Sequence, residues 1–207
     1  MRAEEVMKVS PIVPVIAIDE VEDALPLAKA LFEGGIKIME ITLRTEAGLK
    51  AIEIISKEMP EMNVGAGTVL NASDFNKAVT HGAQFVFSPG ISEELMTVSR
   101  ELNIPLIPGV ASASEVMLAQ NNGFMYCKLF PATVVGGVGA LKAFGGPFPQ
   151  MKFCPTGGVS LNNVREFLTL SNVLCAGGSW IVPKEAMIAK DFKKITQLAS
   201  EAIESVR

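Results

Sequence analysis

Lys128 lies in the run Gly123-Phe124-Met125-Tyr126-Cys127-Lys128-Leu129-Phe130-Pro131, where nearly every neighbour is apolar. Burial disfavours a charged ammonium, so a lysine in such surroundings holds a fraction of neutral amine, the form that attacks a carbonyl to make a Schiff base. The plain alternative is an edge-strand lysine with its stem on apolar surface and its head in water. Other residues must decide between the two. Period-two alternation places Ile38, Glu40, Thr42 and Arg44 on one face of a strand and Met39, Ile41 and Leu43 on the other. The same alternation groups Tyr126 with Lys128, opposite Cys127 and Leu129. If both polar faces look into one interior, Glu40 and Lys128 share a cavity, with Arg44 at its rim. A carboxylate, an amine and a guanidinium so gathered are either a structural ion network or a nucleophile with its acid/base partner.

Glycine placement weighs toward chemistry. Gly65-Ala66-Gly67-Thr68, Thr156-Gly157-Gly158 and Gly177-Gly178-Ser179 each fall at an expected strand end. Glycines there let backbone N–H groups approach an anion, and the last two strand ends of a β/α barrel are a common seat for phosphate. A metal-assisted mechanism finds no ligand set, because the chain has a single histidine, His81, and it precedes Gly82 at an expected helix C-terminus. Cys127, Cys154 and Cys175 are widely spaced in apolar runs and read as buried, reduced thiols.

These side chains need elements to position them. Eight β-like runs, 12–18, 36–43, 63–69, 85–88, 105–110, 124–130, 152–156 and 173–176, alternate with helical stretches such as 21–33, 47–58, 73–80, 93–101 and 114–121. Strand and helix repeated eight times predict an α/β fold of the eight-fold parallel β/α (TIM) barrel type, in which strand C-termini build the site. Residues 3–9 form an extra N-terminal helix over the barrel floor, and 184–206 a closing C-terminal helix. The chain reads as one domain, 1–207. At 207 residues, 49% hydrophobic and 19% charged, it has the composition of a globular chain, and no apolar run approaches the roughly 20 residues of a membrane span. A net charge of −4 without a basic cluster argues against a nucleic-acid partner. The N-terminus lacks a signal-peptide pattern, which points to the cytoplasm.

Val13-Pro14-Val15-Ile16, Glu40-Ile41-Thr42-Leu43-Arg44-Thr45, Gly65-Ala66-Gly67-Thr68-Val69-Leu70, Ser88-Pro89-Gly90, Ile107-Pro108-Gly109, Lys128-Leu129-Phe130-Pro131-Ala132, Pro155-Thr156-Gly157-Gly158 and Gly177-Gly178-Ser179-Trp180 resemble, in order and over nearly the whole chain, the 2-keto-3-deoxy-6-phosphogluconate (KDPG) aldolases, also called 4-hydroxy-2-oxoglutarate (KHG) aldolases. The resemblance implies a class I, cofactor-free and metal-independent aldolase of the Entner-Doudoroff route, a homotrimer acting on a small 2-keto acid. It would cleave KDPG to pyruvate and glyceraldehyde 3-phosphate, or KHG to pyruvate and glyoxylate. By that likeness Lys128 forms the imine and Glu40 is the general acid/base. Arg44 and Thr68 hold the pyruvate carboxylate, Gly157, Gly158, Gly178 and Ser179 meet the phosphate, and Thr156 lies beside the C4 hydroxyl. Thr133 stands where many members have an acidic residue, which bears on substrate preference. Two other readings compete: a phosphate-binding barrel isomerase or synthase, and a silent binding subunit whose exposed Trp180 and ten methionines form an interface.

Overall fold

The computed structural model describes residues 1–206. Helix α1 (Ala3–Lys8) precedes strand β1 (Ile12–Ile16), and a 3-10 turn at Val21–Asp23 leads into α2 (Ala24–Glu33). There follow β2 (Ile38–Thr42), α3 (Ala47–Glu58), β3 (Asn63–Gly67), α4 (Ala72–Thr80), β4 (Val86–Phe87), α5 (Glu93–Leu102), β5 (Leu106–Ile107) and β6 (Gly109–Val110). The second half continues with α6 (Ala113–Asn121), β7 (Tyr126–Leu129), α7 (Gly137–Gly145), β8 (Lys152–Pro155), α8 (Val164–Leu168), β9 (Ala176–Gly178), α9 (Lys184–Ile188) and α10 (Phe192–Ser205).

Every strand pairing is parallel. The strands run β5-β4-β3-β2-β1-β9 in one sheet and β6-β7-β8 in another, and two isolated parallel bridges, Phe153 with Val173 and Thr156 with Gly177, join β8 to the β9 segment. The parallel sheet curls in the manner of a TIM-type α/β fold. Parallel strands covered on both faces read as continuous apolar runs, and β2 is buried at all five positions. The helices begin at polar caps: the side chains of Asn71, Ser92, Ser112 and Asp191 accept from the backbone N–H groups of Asp74, Leu95, Glu115 and Lys194. Their apolar faces join the strand residues in one core that takes in Met7, Met39, Met59, Met62, Met96 and Met151. Those methionines are packing material rather than interface. No helix of the described residues is long and apolar enough to cross a membrane.

Strand and helix types follow the expected alternation, with four local departures. The fifth strand breaks at Pro108, which has no N–H to give the ladder. The last strand lies at 176–178 rather than 173–176, so Gly177 and Gly178 pair with Val13 and Pro14 of β1 instead of forming a loop after the strand. The C-terminal helix is interrupted at Lys190, in the left-handed region with φ 51°, and resumes at the Asp191 cap. Helices α7 and α8 carry no strong sequence signal, because α7 begins Gly-Val-Gly and α8 spans five residues.

Candidate active site

Lys128 and Glu40 meet inside the sheet although 88 residues separate them. Lys128 Nζ stands 3.0 Å from Glu40 Oε1 and 3.3 Å from Oε2. Both side chains are almost wholly withdrawn from solvent, 6% and 1% exposed. Two aromatic rings flank the amine, Phe87 at 5.3 Å and Phe130 at 5.4 Å. A buried ion pair is weak evidence of stabilisation, since desolvating both charges offsets much of their attraction. Its presence between two polar faces, with apolar rings on either side, is what a reactive amine with a proton acceptor requires.

Glycine 67, at the end of β3, makes this contact possible. A Cβ at that position would overlap the Glu40 carboxylate. Gly177 serves Thr156 in the same way, since a Cβ there would overlap the Thr156 hydroxyl. Sequence reasoning treated these glycines as turn or anion-loop signals and passed over their use as empty space, and it also passed over the rings of Phe87 and Phe130. Thr156 is buried, its Oγ1 within 3.5 Å of Cys154 O and 3.8 Å of Cys154 Sγ.

Arg44 and Thr68 sit immediately beyond β2 and β3. Arg44 Nε donates to Thr42 Oγ1 at 3.2 Å. The guanidinium forms no ion pair among the described residues, so Glu46 does not neutralise it. Thr68 adopts φ 57°, a strained setting for a β-branched residue and one that is concentrated at functional sites. Arg44, Ser179 and Trp180 line a cavity of about 760 Å³ with Val15, Asp19 and Lys184, a size suited to a small ligand. Lys128 and Glu40 do not belong to its lining.

The loop after β8 is arranged to leave amides free. Ala132 N–H donates to Thr156 O at 2.7 Å, and Thr133 donates to Gly157 O from its N–H at 3.1 Å and its Oγ1 at 3.3 Å. A trans peptide points its C=O and N–H in opposite directions, so the amides of Gly157 and Gly158 face away from this turn. Neither donates a hydrogen bond among the described residues. Their φ values, 96° and 75°, are glycine territory, and a Cβ on Gly158 would overlap the Thr133 side chain. Consecutive free amides of this kind suit an oxyanion. Ser179 is exposed nearby in sequence to Gly178, which is buried inside β9. Trp180, expected to be exposed, is instead half-buried because its ring lies on Gly178, and its indole N–H is buried without a partner.

The remaining nucleophile candidates are out of play. Burial pushes the Cys127 thiol up to about 12. Cys175 is held well above the usual thiol range, first by its hydrogen bond with Cys154 and then by burial. His81 Nδ1 lies 2.7 Å from Lys77 O at the end of α4, a capping position. Among the described residues no three His, Cys, Asp or Glu side chains gather as a metal site would require.

A desolvated lysine–carboxylate pair inside a parallel TIM-type sheet, with an unpaired arginine and free glycine amides beyond the strand ends, defines a lysine-imine lyase. Comparison with known proteins narrows the class. The chain belongs to the aldolase family described as "KDPG and KHG aldolase", whose model matches residues 3–198. It is 50% identical over 205 residues to the KHG/KDPG aldolase of Escherichia coli K12, covering 99% of this chain and 96% of that one. Its structure resembles that of the KDPG aldolase of Legionella pneumophila with pyruvate captured as a covalent carbinolamine (TM-score 0.96, 48% identity, 98% of each chain). It also resembles the Zymomonas mobilis ZM4 KDPG aldolase with 3-phosphoglycerate (TM-score 0.92, 43% identity, 97% of this chain and 94% of that one). The chain is a class I aldolase.

Proposed function

We propose that this enzyme cleaves KDPG and KHG to pyruvate and an aldehyde through an imine on Lys128, a reading carried by the buried contact between Lys128 and Glu40. The neutral amine adds to the C2 ketone, and the resulting carbinolamine loses water to give a protonated imine. Glu40 accepts the proton of the C4 hydroxyl. The C3–C4 bond then breaks, its electron pair flowing to the imine nitrogen, so that an aldehyde leaves and an enamine of pyruvate stays on Lys128. Protonation at C3 and hydrolysis of the imine release pyruvate and restore the amine. The Phe87 and Phe130 rings keep water from the amine's flanks.

Arg44 and Thr68 hold the carboxylate common to both substrates, which fixes C2 against the lysine. The free amides of Gly157 and Gly158, with the Ser179 hydroxyl, take the phosphate of KDPG, and the covalent chemistry is the same with or without it. Gly178 contributes by giving Trp180 its seat beside Ser179; any side chain at 178 would displace that ring whichever substrate is bound. Thr156 faces the C4 hydroxyl. We further propose that the strands form one closed eight-unit barrel with α1 on its floor, supported by the single residue separating β5 from β6 and by the bridges between β8 and the β9 segment. Residues 1–207 then make one domain, working without cofactor in the cytoplasm as a homotrimer. The exposed apolar side chains of Met117, Val134 and Leu161 offer surface for such an assembly.

Pyruvate with borohydride tests the central step. One reduced pyruvate adduct is expected on Lys128, found by peptide mass analysis, together with loss of cleavage. Adduct on another lysine, or none, overturns the imine.

A further inference from the structure

Thr42 ends β2 and is 1% exposed. Its Oγ1 donates to Ile16 O at 3.0 Å, the carbonyl of the last residue of β1. A hydroxyl has one proton to give, so what remains toward Arg44 is acceptor only, and it receives Arg44 Nε–H at 3.2 Å. The relay therefore has one direction, from Arg44 through Thr42 to the β1 backbone, and it is anchored on two rigid strands rather than on a loop. A guanidinium can grip a carboxylate through its Nε/Nη edge or through its two Nη groups. With Nε committed to Thr42, only the pair of Nη groups is open. Arg44 also lines the 760 Å³ cavity and forms no ion pair among the described residues, although Asp19, Glu20 and Asp23 line the same cavity. Its one side-chain hydrogen bond among the described residues is thus to the neutral hydroxyl of Thr42.

We infer that Thr42 is a positioning residue that locks Arg44 so that its two Nη groups, and not the Nε edge, take the carboxylate of the 2-keto acid. This rests on the reading of Arg44 as the carboxylate-binding group. A buried threonine that merely satisfies Ile16 O would affect stability and leave carboxylate recognition alone, so the test measures recognition. Borohydride trapping on Lys128 is titrated with pyruvate and with its neutral methyl ester in the native enzyme, T42V and T42S.

For T42V the pyruvate concentration giving half-maximal trapping should rise about tenfold, the scale of one hydrogen bond to a charged group, while that for the ester moves by less than about twofold. T42S keeps the hydroxyl and should stay within about twofold of native for both probes. The KM of KHG should rise with the pyruvate value while kcat changes little. An unchanged pyruvate titration in T42V overturns the inference, and so does an equal rise for acid and ester, or a T42S as impaired as T42V. Should T42V fail to fold, T42C takes its place. Its thiol is a weak acceptor, so a rise for pyruvate alone supports the inference and no rise overturns it. Arg44→Met separates the levels: if it leaves the pyruvate titration unmoved, the carboxylate role of Arg44 has failed, whereas a rise there with none in T42V removes only the role of Thr42.

Discussion

Tyr126 and Lys128 lie two residues apart on one face of β7 and meet opposite environments. Lys128 reaches Glu40 in a contact that water scarcely touches. Tyr126, half-buried, looks toward α1, where burial and then the Glu4 carboxylate hold its phenol above the usual range. The charges around it are solvated helix pairs, Arg2 with Glu5 at 3.0 Å and Lys8 with Glu4 at 2.6 Å, and their side chains are 34% to 76% exposed. A cavity at that end, about 280 Å³, is lined by Met1, Arg2, Arg100 and Tyr126 and holds no lysine–carboxylate pair. Both ends thus use the same residue types, and desolvation separates them. A charge pair in water is worth little and only fastens α1, whereas one enclosed by Phe87 and Phe130 is scarcely screened by solvent, so each charge acts strongly on its partner and on whatever binds beside it.

Breaking the enclosed pair should have the largest effect. Glu40→Gln keeps the size and a hydrogen-bonding end but cannot accept a proton. The cleavage rate should fall at least ~100-fold while some pyruvate adduct still forms on Lys128. Near-normal turnover would return Glu40 to a structural role and erase the contrast between the two ends.

A subtler substitution moves the carboxylate without removing it. Gly67→Ala puts a methyl where the Glu40 carboxylate lies, and overpacking of this kind costs about 1–3 kcal/mol. Because the Glu40 side chain is the part able to shift, a loss of about tenfold or more in kcat is expected with the fold retained, read by steady-state kinetics beside a thermal melt. Unchanged kcat would mean that the carboxylate can work from another position.

The smallest effect belongs to α1. The hydrogen bond from Lys8 holds the Glu4 carboxylate below its ordinary value of 4.5. A depressed folded-state value means the pair stabilises above that ordinary value and loses its contribution as pH falls through the folded one. Glu4→Gln should therefore leave cleavage unaltered and shift Tm by no more than about 2 °C at neutral pH, with the difference fading in acid. A rate loss beyond about twofold would tie α1 to the site and end the comparison.

Much of this was legible from local pattern. The alternation 38–44 assigned Glu40, Thr42 and Arg44 to one face, and Lys128 drew notice by its apolar neighbours. Register across strands was beyond reach: nothing local says that Val15 pairs with Glu40 or Lys128 with Cys154. The last strand was misplaced for the same reason, because 173–176 is more apolar than 176–178, yet β1 pairs with the glycine stretch. The uses of Gly67 and Gly177 were equally hidden, since an empty Cβ position has meaning only when the neighbour it admits is known.

By itself, then, the order of residues determined the element types, the face each side chain takes along its strand and the family motifs, because these depend on the backbone's short periods and on residues adjacent in the chain. Tertiary structure alone decided that Lys128 would stand 3.0 Å from Glu40, that the Thr42 hydroxyl would donate to Ile16 O on the neighbouring strand, and that two amides after β8 would be left free. Those outcomes depend on distances between segments many residues apart, and only the closing together of the strands brings such segments within reach of a hydrogen bond.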